Sequence, residues 1–289
     1  MCSPDVMAMV HTALRKGSSR AVSRRGLLAG AGATAALLPL ASFASQATPV
    51  ATPVTAERTI TFATVSNLSY ANSPATPVWP GNPIFAMETV VTIEENGFYA
   101  NVLTHHEHTG THMDAPAHFI PDGATADRVD PHQLVAPLAV IDVTAQTGAD
   151  VDYGLTVDDI LAWEAEYGML SEGAFVAMNS GWGARIDDAE AFVNLDADRV
   201  MHFPGFSPEA SAFLIEERSI VGIGSDTLSQ DPGNSTDFGT HITILGAGRY
   251  GIEGLANIGT VPPSGATVVL GAANHEMGSG GPTRILALH

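Results

Sequence analysis

Runs of apolar, β-branched residues bounded by glycine or proline recur along the chain and predict strands at Thr59–Val65, Thr89–Ile93, Leu138–Val143, Phe175–Met178, Ile220–Ile223, Thr267–Leu270 and Arg284–Leu288. Two helices are readable. Thr156 supplies a cap hydroxyl, Asp158 and Asp159 sit in the first turn, and Ile160, Leu161, Ala165 and Tyr167 follow roughly as an apolar stripe. Ser207-Pro208-Glu209 opens the second, with proline at the first helical position and Phe213 and Leu214 facing inward. Strands outnumber helices, which predicts a mixed α/β domain. From Glu57 onward there is no fixed-period repeat and no break in composition, so residues 57–289 read as one domain. A doubly wound dinucleotide fold is disfavoured, because Gly222-Ile223-Gly224 lacks a third glycine and no clear helix follows it.

The first 45 residues have a different pattern. Ser23-Arg24-Arg25-Gly26-Leu27-Leu28 leads into an apolar, small-residue run from Ala29 to Ala44. A basic region, a short apolar stretch and small residues at its end predict a signal peptide over 1–45, and the arginine pair before two leucines looks like a twin-arginine signal. Export to the periplasm or beyond is the expectation, with no stable membrane insertion once the signal is cleaved. Residues 46–56 (QATPVATPVTA) read as a Thr/Pro linker.

Charge sharpens this division. The 289-residue chain carries 12 Lys and Arg against 31 Asp and Glu, a net charge of −19. Arg15, Lys16, Arg20, Arg24 and Arg25 all fall in the leader, where Asp5 is the only acid. The remainder has no lysine and a larger acidic excess, which argues against nucleic acid or an anionic membrane as a partner. The single cysteine, Cys2, also lies in the leader, so disulfides, thiolate ligands and thiol catalysis are excluded downstream.

The candidate chemistry sits in five histidines within fourteen residues: His105, His106, His108, His112 and His118, with Asp114 among them. Imidazole and carboxylate are the common ligands of Zn²⁺, Mn²⁺ and related ions. Gly110, Pro116 and the flanking threonines argue against a helix here. In an extended segment His112 and Asp114, two apart, point to the same side. His105 and His106 read as supporting or surface residues.

The stretch His108-Thr-Gly-Thr-His112-Met-Asp114-Ala-Pro-Ala-His118-Phe119 resembles, at every fixed position, the H-x-G-T-H-x-D-x-P-x-H-F signature of the metal-dependent cyclase family, which includes kynurenine formamidases and isatin hydrolases. Trp79-Pro80-Gly81-Asn82-Pro83 is similar to its W-P-G-D-P turn, with Asn82 in place of aspartate. Gly224–Asp231, His241–Glu253 and Gly280–Arg284 resemble further family segments, so the likeness spans about residues 60–288. It implies a strand-rich fold of the swivelling β/β/α type. It also implies His108, His112 and Asp114 as ligands of a first metal, and His241 and Glu253 as ligands of a second, with Asp114 bridging. His118 becomes the proton-transfer residue and Trp79 a substrate contact. The resemblance further implies one or two divalent ions, zinc or manganese, as cofactor, a small-molecule substrate as partner, and a homodimer or larger assembly.

A divalent ion lowers the pKa of bound water from near 16 to about 7, so the resemblance implies hydrolysis of an amide, lactam or ester by activated water, with His118 as general acid/base. Two alternatives carry the same ligands: a cyclase or dehydratase acting on a polyketide-like substrate, and a non-catalytic metal- or ligand-binding protein. Asn179-Ser180-Gly181 lacks the G-x-S-x-G of a nucleophile elbow and reads as a loop beside the pocket or a plain turn. Ser225 reads equally as a polar site residue or a turn after a strand. His275-Glu276 and Asp187-Asp188-Ala189-Glu190 read as solvated surface.

Overall fold

The computed structural model describes residues 59–289; the expected leader (1–45) and linker (46–56) lie outside the described residues. The strands are β1 Val65–Asn67, β2 Ala86–Val91, β3 Ala100–Thr104, β4 His112–Asp114, β5 Val135–Asp142, β6 Gly154–Leu155, β7 Phe175–Asn179, β8 Gly205–Phe206, β9 Gly222–Ser225, β10 Tyr250–Glu253, β11 Ala266–Gly271, β12 Gly280–Pro282 and β13 Arg284–Leu288. The helices are α1 Ile93–Asn96, α2 Thr144–Ala149, α3 Val157–Tyr167, α4 Ala189–Val193, α5 Pro208–Glu216 and α6 Gly239–Gly246. Among the described residues no helix is long and apolar enough to cross a membrane.

One mixed sheet organises the molecule, in the order β1-β13-β11-β5-β7-β9-β10-β4-β12. Its centre, β5-β7-β9-β10, is parallel, and antiparallel strands extend it on both sides. Every residue of β7 is buried, as expected of a strand covered on both faces. The period of two divides the core. Leu138, Val140, Phe175 and Ala177 face one cluster, with Tyr250 and Ile252. Ala139, Ile141, Val176 and Met178 face the other, against Ile160 of α3, Leu214 of α5 and Ile244 of α6.

The expected mixed α/β, strand-rich architecture is what the chain adopts. The boundary shifts have local causes. Thr59–Val65 enters the sheet only at Val65, which pairs with Leu288; the Ala63 and Thr64 N–H groups both donate to the His289 carbonyl, and the His289 N–H donates to the Thr64 carbonyl, so this segment is a turn-like contact and not a regular ladder. Thr92 ends β2 by accepting from the Glu95 N–H as the cap of α1. Helix α3 starts where expected, on a capping box of Thr156 and Asp159. Its apolar stripe is corrected: Val157, Ile160 and Trp163 face the sheet, whereas Leu161, Ala165 and Tyr167 are exposed. Helix α5 also starts as expected, with Ser207 capping Ala210; Leu214 is fully buried and Phe213 partly so. The hairpin β2–β3 forms its own two-stranded sheet, and its Met87, Val90, Val102 and Leu103 are each more than half exposed.

Candidate metal centre

Strand β4 supplies the floor of the site. His112 and Asp114 alternate with the buried Met113 and so share a face. In the ladder with β10, His112 lies opposite Glu253, which brings that carboxylate onto the same face; a one-residue slip would turn it away. Asp114 lies opposite two glycines, Gly251 of β10 and Gly280 of β12. A Cβ at Gly251 would overlap the Gln230 side chain, and one at Gly280 would meet His108 Cε1 at 2.9 Å. The missing side chains leave room for two groups that bond Asp114: Gln230 Nε2 donates to Oδ2 at 2.7 Å, and His108 Nδ1 lies 2.6 Å from Oδ1.

His241 arrives from the opposite side on α6. This helix opens after Phe238, which adopts a left-handed conformation and offers no side-chain cap. The remote Asp231 caps it instead, accepting from the Thr240 and His241 N–H groups, and its Oδ2 also takes His241 Nδ1 at 2.5 Å. The other ring nitrogen therefore faces inward, 3.4 Å from Asp114 Oδ2 and 3.1 Å from Glu253 Oε1. His112 behaves alike. Its Nδ1 is tied to the Gly110 carbonyl at 2.9 Å, and Nε2 faces Asp114 and Glu253 at 3.4 and 3.3 Å.

These residues fit a divalent ion. His112 Nε2 is buried with no hydrogen-bond partner, although two carboxylates face it. With the outward nitrogens of His112 and His241 used on protein acceptors, their inward nitrogens face the carboxylates of Asp114 and Glu253 across a common space, where an ion can replace a proton. Nitrogen–oxygen separations of 3.1–3.4 Å match the edge of a coordination tetrahedron with bonds of about 2.0–2.1 Å. The charge balance agrees. Burial alone would push His112 down, but Asp114 and Glu253 draw it up to about 10. His241 is raised well above its ordinary value against the same burial, by Asp114, Asp231 and Glu253. Asp114, though buried, is held far below the carboxylate range by His108, His112 and His241. A pocket that takes up protons so strongly is one in which protons and a metal ion compete.

His118 stands beside the ligands, on a single 3₁₀ turn at Pro116–His118, with its ring stacked on His108 at 3.9 Å between centroids. Burial pushes its pKa down to about 4. It is neutral near pH 7 and free to accept a proton. Above the cluster opens a cavity of about 270 Å³, walled by Trp79, Phe119, Ile186, Phe192, Leu228 and Phe238. Tyr70 also lines it; burial, with Asp226 and Asp187, raises that phenol to about 12 and keeps it protonated.

All seven residues singled out in the sequence thus meet at one place: His108, His112, Asp114, His241 and Glu253 around a common space, His118 at its rim, and Trp79 in the cavity wall. His106 joins the cavity rim, whereas His105 stacks on Phe85. Ser180 is buried and donates to Asp226, away from the cavity lining. Ser225 is also buried and donates to the Ser229 carbonyl, closing a turn. His275 and Glu276 are exposed, and so are Asp187, Asp188, Ala189 and Glu190, although Asp188 also caps α4. The sequence reading did not single out Gln230, Asp231, Glu107 or Ser279. Gln230 and Asp231 had only their membership of the resembling Gly224–Asp231 stretch as a signal, whereas Glu107 and Ser279 lie just outside the resembling stretches and had none, their mutual contact spanning 172 residues.

The comparisons agree with this geometry. A family model described as a putative cyclase matches residues 66–232, more than half of the chain. An isatin hydrolase of Roseibium aggregatum is 36% identical over 233 residues, covering 74% of this chain and 88% of that protein. A kynurenine formamidase of Salinibacter ruber is 27% identical over 199 residues, covering 68% and 84%. The solved isatin hydrolase A of Ralstonia solanacearum is 37% identical, with a TM-score of 0.73 over 78% of this chain and 91% of that one. With the ligand cluster assembled on β4, β10 and α6, and the likeness spanning most of the described residues, the chain belongs to the cyclase family and is a metal-dependent hydrolase of C–N bonds other than peptide bonds.

Proposed function

We propose that the chain hydrolyses a small, neutral amide or lactam carried on a planar ring, in the manner of its isatin hydrolase relatives. The carrying observation is the cavity. Beyond the ligand cluster its wall is mainly aromatic and aliphatic, with Thr76, Asn82, Thr227 and Ser229 as uncharged polar members, and none of the described residues lining it is Lys or Arg. A substrate bearing an amino-acid head group would leave its carboxylate without a counter-charge in an apolar wall.

The proposed cofactor is zinc or manganese, one or two ions, held by His108, His112, Asp114, His241 and Glu253. When bound, a divalent ion supplies Lewis acidity and a nucleophilic water near neutral pH. Trp79, Phe119 and Phe238 hold the ring of the substrate and exclude solvent from the bond to be cut. His118, neutral and anchored by its stack on His108, takes the proton of the attacking water. It then returns that proton to the nitrogen as the C–N bond breaks. Work outside the cytoplasm, by a twin-arginine route, remains part of the proposal.

Two measurements test it. His118→Ala should retain its ion by elemental analysis and lose about 10²- to 10⁴-fold in turnover; unchanged turnover rejects the role. On the native chain, kcat/KM for a neutral aromatic lactam should exceed that for an N-formyl amide bearing an α-amino acid by about tenfold or more. The reverse preference would make the chain a formamidase of amino-acid substrates.

A further inference from the structure

Behind His108, on the side away from Asp114, lies a pair of residues that the proposed reaction does not use. Ser279 Oγ is 2.5 Å from Glu107 Oε2 and 3.0 Å from His108 Nε2, and the Ser279 backbone N–H donates to the same Glu107 oxygen at 3.2 Å. A serine hydroxyl has one proton, and a carboxylate only accepts. The proton therefore points to Glu107, and the lone pair that Ser279 offers to His108 requires an Nε2–H.

The backbone is shaped to allow this approach. Ser279 follows Gly278, where a Cβ would stand 3.0 Å from Glu107 Oε1, and precedes Gly280, where a Cβ would meet His108 Cε1 at 2.9 Å. The glycine run thus brings Ser279 against both partners, while β12 pairs with β4 through Gly280 and Asp114.

We infer that Glu107 and Ser279 are positioning residues that keep a proton on His108 Nε2, so that Nδ1, which bonds Asp114 Oδ1 at 2.6 Å through a proton that an ion can replace, is the nitrogen presented to the ion. His112 and His241 present Nε2 instead, since their Nδ1 atoms are held by Gly110 and Asp231. The inference rests on the reading of the cluster as a metal centre. Partners that orient a metal-binding imidazole in this way typically contribute 10- to 100-fold in metal affinity.

The test titrates zinc into the metal-free full chain against a chromophoric chelator, and records ¹⁵N spectra of histidine-labelled, zinc-loaded protein. Ser279→Ala is expected to bind zinc about 10- to 100-fold more weakly than the native chain, and Ser279→Thr, which keeps the hydroxyl, to restore binding. Glu107→Gln is the second variant, for use if Ser279→Ala does not fold. Its amide N–H₂ can face the hydroxyl and reverse the proton, so it too should weaken zinc. The native spectrum should show His108 protonated at Nε2. If both variants bind zinc as tightly as the native chain, or His108 carries its proton on Nδ1, the relay is wrong and the metal centre stands. If the native chain binds no zinc and no manganese, the metal reading falls and takes the relay with it.

Discussion

Two clusters of histidine and carboxylate occur in the described structure, and only one is built for an ion. At the surface, His202 bridges Asp152 and Asp196, with Nδ1 at 2.7 Å from one and Nε2 at 3.3 Å from the other. In the interior, His112 and His241 each tie one nitrogen to the protein and leave the other facing Asp114 and Glu253. The residue types are the same. What differs is the use of the second ring nitrogen. His202 directs both at carboxylates, which raise its pKa, so a proton on each ring nitrogen satisfies it. The buried rings are oriented from outside, and their inward nitrogens face Asp114 and Glu253, with His112 Nε2 left without a hydrogen-bond partner. A ligand set is therefore recognised by what holds its back, as much as by the donors themselves.

The sharpest way to break that comparison is to remove the shared carboxylate. Asp114 touches His108, His112, His241 and Gln230 and is fully buried. In Asp114→Asn the inward lone pairs lose the charge that balances an ion. The native chain at zinc 100 times its dissociation constant should gain about 2.7 kcal/mol of stability by mass action. The variant should show no zinc-dependent rise in Tm and no turnover, a result that thermal melts with and without the ion would check.

A smaller effect is expected one bond further out. In Asp231→Asn the side chain can keep a carbonyl oxygen for the Thr240 N–H, but its amide N–H₂ then faces His241 Nδ1. Two donors repel, so the ring is driven to its Nε2–H tautomer and loses the inward lone pair. Ion affinity should fall by about 10- to 100-fold, with turnover regained at high ion concentration. Chelator competition measures the first and saturation kinetics the second. Turnover that excess ion cannot restore would mean that Asp231 serves mainly to start α6.

The asymmetry between near and distant partners also decides what was legible in the sequence. His108, His112, Asp114 and His118 occupy eleven consecutive positions, and alternation along an extended segment already places two of them on one face. His241 and Glu253 were legible only by resemblance. Glu253 becomes a ligand candidate through the register of β10 against β4, and His241 through a helix whose cap comes from Asp231 ten residues earlier. Neither cause leaves a local pattern. Helix α6 itself was missed, since Gly-Thr-His-Ile-Thr has low helical propensity and no cap of its own. Gly251 and Gly280 are informative only for what fills the space above them, which composition cannot convey. Helix α3 shows the converse. Its start is written in Thr156 and Asp159, but the phase of its stripe was settled by Trp163, whose indole N–H donates to the Val140 carbonyl and pins that face to the sheet.

The smallest expected effect lies at the surface cluster, where it marks the boundary between an ion pair and a metal site. Asp152, and then Asp196, raise the pKa of His202 above its ordinary value near 6.5. The folded chain therefore holds this proton more tightly than the unfolded one. The stabilisation is complete below the unfolded value and is lost as pH rises through the raised folded value. His202→Gln removes the titrating group and keeps a hydrogen-bonding side chain. The native chain should melt above the variant at about pH 5.5, and the difference should close as pH rises through the raised folded value, with added salt shrinking it throughout. Zinc affinity should be the same in both chains at any of these salt concentrations. A Tm gap that widens with pH would show that His202 acts as a neutral hydrogen-bonding ring, and a loss of zinc affinity would mean that the two clusters are coupled after all.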